Sequence, residues 1–202
     1  AIGALNVFEA WAFFFVLGLL SLCLLIFTNP LSIKISIFFA TLIVLYPLSK
    51  RFIAAPQFIL GITFGSGSLI AYSLQSNDFT ISLMILYTGI VAWIISFDTY
   101  YALEDKEDDL KININSTAIM WGENAIKYAR ILHLFFYFSL ILIAILNKFS
   151  YAFLLIIILL LLIFIYQKKL INESKFLDAF KINNLVGIIA VLGFVLEIIL
   201  LK

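Results

Sequence analysis

This chain has little charge: only 12% of its 202 residues are Asp, Glu, Lys or Arg, and the formal net charge is +1. So even a balance makes no global field, which argues against nucleic acid as a partner and leaves anion binding to local clusters. Cysteine is almost absent. The single Cys23 lies in an apolar stretch and can form neither an intramolecular disulfide nor a thiolate metal centre. The one histidine, His133, stands near the start of another apolar stretch, where a packed or interfacial ring is expected rather than a base. The segment Ala1–Glu9 lacks the basic start of a cleavable signal peptide.

What fills the chain instead is hydrocarbon. Hydrophobic residues make up 64% of it, and a mean hydropathy of +1.16 describes a protein whose solvent is mostly lipid. A helix satisfies its own backbone hydrogen bonds in lipid, and roughly 20 apolar residues cross the hydrocarbon layer. Seven stretches fit: Phe8–Thr28, Leu31–Tyr46, Pro56–Leu74, Phe79–Phe97, Tyr128–Leu146, Phe149–Tyr166 and Ile182–Leu201. The expected fold is therefore an all-α, multi-pass transmembrane helical bundle forming one domain over residues 1–202. Tight polar turns at Asn29-Pro30, Gln75-Ser76-Asn77-Asp78 and Asn147-Lys148 join antiparallel neighbours.

Basic residues fall in alternate connections. Lys50, Arg51, Lys106, Lys111, Lys168, Lys169, Lys175 and Lys181 share one face, against Lys34, Lys148 and Lys202 on the other. The positive-inside rule puts the first face, with the chain's N-terminus, in the cytoplasm, as for a protein of the inner (plasma) membrane. Trp11, Trp93 and Trp121 are expected at interfaces, and Glu197, within a turn of the C-terminus, is expected to snorkel outward.

Against this background the run from Asp98 to Asp109 stands out, because Asp98, Glu104, Asp105, Glu107, Asp108 and Asp109 are half of the chain's 12 acids. If the fourth helix continues through it, Asp98, Asp105 and Asp109 fall within about 40° of one another and Glu107 points away. A solvated acidic loop is the ordinary alternative. Hard oxygen ligands with no histidine or cysteine near them suit magnesium (Mg2+), which would remove the repulsion between Asp105 and Asp109.

Three further features bear on that choice. Tyr46-Pro47-Leu48-Ser49-Lys50-Arg51 sets two cations and a phenol at the end of the second helix; such a pair also serves as a topology signal or headgroup anchor, but beside a loaded carboxylate stripe it completes a diphosphate pocket. Gly61, Gly65 and Ser68 in the third helix read as close helix packing rather than a nucleotide loop. Asn183 and Asn184 open the last helix, where one asparagine is explained as a cap and the second is not.

In order along the chain these segments resemble the UbiA superfamily of intramembrane aromatic prenyltransferases, most closely its 4-hydroxybenzoate polyprenyltransferase branch of ubiquinone biosynthesis. The matching residues are Tyr46 to Arg51, Pro56-Gln57, Leu60-Gly61, Asp98-Thr99, Tyr101-Ala102, Asp105 to Asp109, Ser116-Thr117-Ala118, Gly122, Phe180-Lys181, Asn183-Asn184 and Val186-Gly187. The resemblance implies magnesium on Asp105 and Asp109, with Asp98 as ligand or as support to the ligands. It implies polyprenyl diphosphate and a small aromatic acid as partners, with Lys50, Arg51, Tyr46, Tyr101, Asn183 and Asn184 at the site. Family members have nine spanning helices and two aspartate-rich motifs, so this chain is expected to lack the first two helices and an Asn-Asp-x-x-Asp segment, with Ala1-Ile2-Gly3-Ala4 as the loop that follows it. Such a fragment is expected to be inactive alone. Acceptors of naphthoate, haem or chlorophyll type are the near alternatives. An ion-coupled transporter, which would carry charge at mid-membrane, and a purely structural subunit are the distant ones.

Overall fold

Residues 6–200 are described by a computed structural model, and the Ala1–Ala4 loop and Lys202 of the sequence reading lie outside them. Polar residues ahead of apolar runs set the helix starts. Asn6 and Glu9 exchange side-chain and backbone hydrogen bonds of 2.9 and 2.8 Å, a capping box that opens α1 (Val7–Leu25). The Asn29 side chain accepts from the Ser32 N–H, and Pro30 follows it to open α2 (Pro30–Phe52). Pro56 begins α3 (Pro56–Ser73), and Thr80 caps α4 (Ile81–Glu104). Short helices α5 (Lys106–Lys111) and α6 (Thr117–Met120) and a 3₁₀ turn (Gly122–Asn124) lead into α7 (Ala125–Leu146). The chain ends with α8 (Ala152–Asn172), α9 (Phe176–Lys181) and α10 (Asn183–Leu200).

Six of the seven expected spans are long and apolar enough to cross a membrane, so this is a multi-pass membrane protein. The seventh, α3, has a helix of the expected length but a polar inner face. Gln57, Thr63, Ser66 and Ser73 are buried on it. Thr63 and Ser73 donate their hydroxyls to carbonyls of their own helix, so polarity there costs little.

Helix α4 is the centre of the bundle, with α3 on one side and α7 on the other. A Cβ on Gly61 would stand 2.9 Å from the Val91 carbonyl oxygen, and one on Gly89 would stand 2.7 Å from the Ser139 Cβ. Glycine at these two positions is what lets the three backbones approach. Phe136, Tyr137, Leu140, Phe153 and Leu160 form the core between α7 and α8. His133 is buried there with Nε2 3.0 Å from the Tyr137 hydroxyl, which donates to the Leu160 carbonyl, as a packed ring should. By contrast α1 buries no side chain, and its apolar surface faces outward all round.

Two expectations fail. Glu197 does not snorkel: it is 1% exposed, and its carboxylate accepts the Ser150 N–H at 2.8 Å and the Ser150 hydroxyl at 2.6 Å, tying α10 to the start of α8. Two directed donors offset burial that bare lipid would not. Trp93 is not at an interface but inside the bundle, where its indole N–H donates to Asn183 at 2.9 Å.

Candidate active site

At the end of the bundle where α2 and α4 finish, five segments converge. Pro47 lies inside α2, which runs six residues past the apolar span that ends at Tyr46, and the Ser49 hydroxyl donates back to the Tyr46 carbonyl at 2.6 Å. The extra turn carries Lys50, whose Nζ sits 5.9 Å from the centre of the Tyr46 ring, in cation–π range. The Lys50 carbonyl accepts the Asn115 N–H at 3.0 Å, which fastens α2 to the segment beyond α5. Arg51, one residue on and about 100° further round the helix, is exposed and forms no ion pair among the described residues.

On the facing side Gln57, 3% exposed at the start of α3, accepts the Thr117 N–H at 2.9 Å and lies against the Asp98 carboxylate. Thr99 and Thr117 share a hydroxyl bond of 2.8 Å. One polar side chain and one hydroxyl pair thus lock α3, α4 and α6 together around Asp98.

The fourth helix does not continue unbroken through Asp109. Helix α4 ends at Glu104 and α5 begins at Lys106, with Asp105 at the junction accepting from both the Asp108 and Asp109 N–H groups at 3.0 and 2.9 Å. That bifurcated acceptor tightens the turn and bends the axis. It also keeps Asp105 and Asp109 one turn apart, so the stripe survives the break. Asp98, Asp105 and Asp109 are all half-buried while Glu104, Glu107 and Asp108 are exposed. Asp108 is taken by Lys111 at 2.8 Å.

Lys50, Asp105 and Asp109 act on Asp98 through their charges, so the four groups form one electrostatic unit. Burial raises the Asp109 carboxyl above its usual value, and Asp105 and Asp108 raise it further, against the pull of Lys50 and of a hydrogen bond from Ser116. A pair of carboxylates so arranged favours a cation between them. Among the described residues no group of three or more His, Cys, Asp or Glu side chains could hold a metal by itself, so Asp105 and Asp109 offer a partial, all-oxygen donor set.

Beside the acids an aromatic ladder climbs α4. Tyr101 lies 5.2 Å from Phe180, Phe180 5.7 Å from Phe97, and Phe97 5.4 Å from Trp93, which stacks on Phe136 at 4.9 Å. Asn183 holds it in place. Its side chain accepts from Trp93 and donates to the Ala179 and Phe180 carbonyls at 3.0 and 2.9 Å. With both ends engaged, Asn183 ties Trp93 of α4 to the end of α9. Asn184 is exposed and lines the hollow that Trp93 and Asn183 also line.

Sequence reasoning missed the roles of Gln57, Thr117 and Phe180. Their signal was present as an amide at the start of an apolar helix and as a Ser-Thr pair after the acidic run, but partners 60 residues apart, as Gln57 and Thr117 are, leave no periodic trace.

Comparison with known proteins gives the family and the fold. The UbiA prenyltransferase family model matches residues 1–195. A 4-hydroxybenzoate octaprenyltransferase of Saccharophagus degradans is 33% identical over 192 residues, covering 94% of this chain and 64% of that protein. One from Edwardsiella ictaluri is 36% identical over 199 residues, covering 97% and 69%. The chain thus spans about two thirds of the length of these curated relatives. The apo structure of a UbiA homolog from Aeropyrum pernix K1 superposes with a TM-score of 0.82 over 98% of this chain and 75% of that one, at 20% identity, and so shares the fold. With a family model matched along nearly its whole length, the chain belongs to the UbiA prenyltransferase family.

Proposed function

We propose that the full-length protein transfers a polyprenyl group from its diphosphate to the ring of 4-hydroxybenzoate, as a step of ubiquinone biosynthesis on the cytoplasmic side of the inner membrane. The observation that carries this reading is the meeting of Lys50, Asp98, Asp105 and Asp109 at one end of the bundle, directly beside the Tyr101–Phe180–Phe97 ladder. The names of the relatives support the acceptor and the prenyl donor. The lysine and arginine asymmetry between the two faces supports the orientation.

The reaction breaks the allylic C–O bond, with its electron pair leaving on the diphosphate. The ring carbon ortho to the hydroxyl attacks the cation, and the ring then loses a proton. Asp105 and Asp109 would hold magnesium, which when bound neutralises charge on the departing diphosphate. Lys50, steadied by the Tyr46 face, adds a fixed cation to the same end, and Arg51 at the rim is a second. Asp98 keeps Lys50 oriented through its charge while Gln57 holds Asp98. Tyr101, Phe180 and Phe97 present ring faces that stabilise an allylic cation and exclude water from it. An ion-coupled carrier would need an available mid-bilayer acid. Among the described residues the one fully buried carboxylate, Glu197, is occupied by Ser150.

The test is to supply the full-length protein in proteoliposomes with octaprenyl diphosphate and, in turn, 4-hydroxybenzoate or a naphthoate acceptor. Prenylated 4-hydroxybenzoate detected by mass spectrometry is expected. Prenylation of the naphthoate alone would overturn the acceptor, and prenylation of neither would overturn the activity.

A further inference from the structure

Helices α8 and α10, with α9 at one end, leave a groove between them. It has two connected parts, about 490 Å³ at the α9 end and about 440 Å³ deeper, which share Tyr166, Ile182 and Leu185. The deep part is aliphatic apart from Tyr166, reaching Leu159 and Ile189. From Leu170 at the mouth to Leu159 is 11 residues of α8, so the groove runs roughly 16 Å, about half of a hydrocarbon core of about 30 Å. It is therefore the depth of one leaflet and takes one acyl chain.

The mouth decides which lipid. Lys181 and Asp178 both line it, three residues apart on one face of α9, and they form no ion pair with each other among the described residues. Both are exposed; the charge of Lys175 reaches Asp178, but Lys175 itself is paired with Glu173 at 2.7 Å. Tyr166 and Asn184 add neutral hydrogen-bonding groups beside them. One cation and one anion side by side complement a headgroup that carries both signs. A carboxylate also prefers an ammonium that keeps its N–H donors over a fully methylated one.

We propose that this groove is a binding site for one phospholipid with a zwitterionic, primary-ammonium headgroup. Its phosphate meets Lys181, its ammonium meets Asp178, and one acyl chain lies against Leu185 and Ile189. Through Asn184 and Ile188 the groove borders a second hollow lined by Trp93 and Asn183, so competition with polyprenyl diphosphate is part of the test; the proposal itself does not depend on the prenyl-transfer reading.

The experiment is native mass spectrometry of the delipidated full-length protein, titrated with phosphatidylethanolamine, phosphatidylglycerol or phosphatidylcholine of identical acyl chains. One phosphatidylethanolamine per chain is expected to bind about two- to fivefold more tightly than the other two, the range for an exposed charge pair. Asp178→Asn should bring it down to the phosphatidylcholine level, and Lys181→Gln should weaken all three. Leu185→Trp, which fills the groove, should abolish the stoichiometric site. Melting temperatures like that of the parent protein show that these variants remain folded. Equal or tighter binding of phosphatidylglycerol, or phosphatidylethanolamine binding unmoved by Asp178→Asn, would overturn the proposal. So would displacement of the bound lipid by polyprenyl diphosphate, which would make the groove a substrate site.

Discussion

Replacing Gln57 by leucine should loosen the site without touching any charged group. Gln57 is 3% exposed, accepts the Thr117 N–H at 2.9 Å and lies against Asp98. Leucine is of similar size, so the packing loss is small, but the buried Thr117 N–H is left without a partner. That costs about 1–3 kcal/mol, equivalent to a fall of roughly 2–12 °C in melting temperature for a chain of this size. Asp98 also loses its support, and a misplacement of about 1 Å at such a group can lower a rate about 100-fold. Gln57→Glu separates the two effects: it keeps an acceptor for Thr117 but sets a second carboxylate against Asp98, so more of the stability and little of the rate should return. Thermal unfolding in detergent and diphosphate release by the full-length protein are the readouts. A Gln57→Leu protein that melts within about 1 °C of the parent and turns over normally would refute the idea that this amide ties α3, α4 and α6 together.

Gly89→Ala should force α4 and α7 apart, since its Cβ would meet the Ser139 Cβ at 2.7 Å. The expected cost is about 1–3 kcal/mol, and adding Ser139→Gly to the same chain should recover most of it, as unfolding of the single and double variants would show. The raised Asp109 carboxyl gives a pH signature in the metal-free protein. The folded state binds the extra proton in the window just above the usual carboxylate value, so stability should fall as pH rises through it, and Asp109→Asn should remove that slope. The effect is small because the side chain is partly exposed and screened. Melting temperature against pH for the two proteins checks both sign and size.

Much of the fold could be read because it is written in one-dimensional signals. Asn29-Pro30 and Thr80 start helices where side-chain caps are found, and Gly61 sits at the close approach its size suggested. The turn at Asp105 was not readable, since nothing in an acidic run shows that one carbonyl will accept two N–H groups. At the site, the spacing of Asp98, Asp105 and Asp109 separated the half-buried acids from the exposed ones. The engagement of Asn183 with Trp93 and the burial of Glu197 on Ser150 were hidden, because both depend on partners dozens of residues away.

The most direct measurement is the magnesium dependence of diphosphate release by the full-length protein with Asp105→Asn, Asp109→Asn or both. Loss of most magnesium-stimulated release in each single variant, with little further loss in the double, is expected if the two carboxylates hold one ion. Release that keeps its normal magnesium response when both aspartates are gone would contradict the assignment.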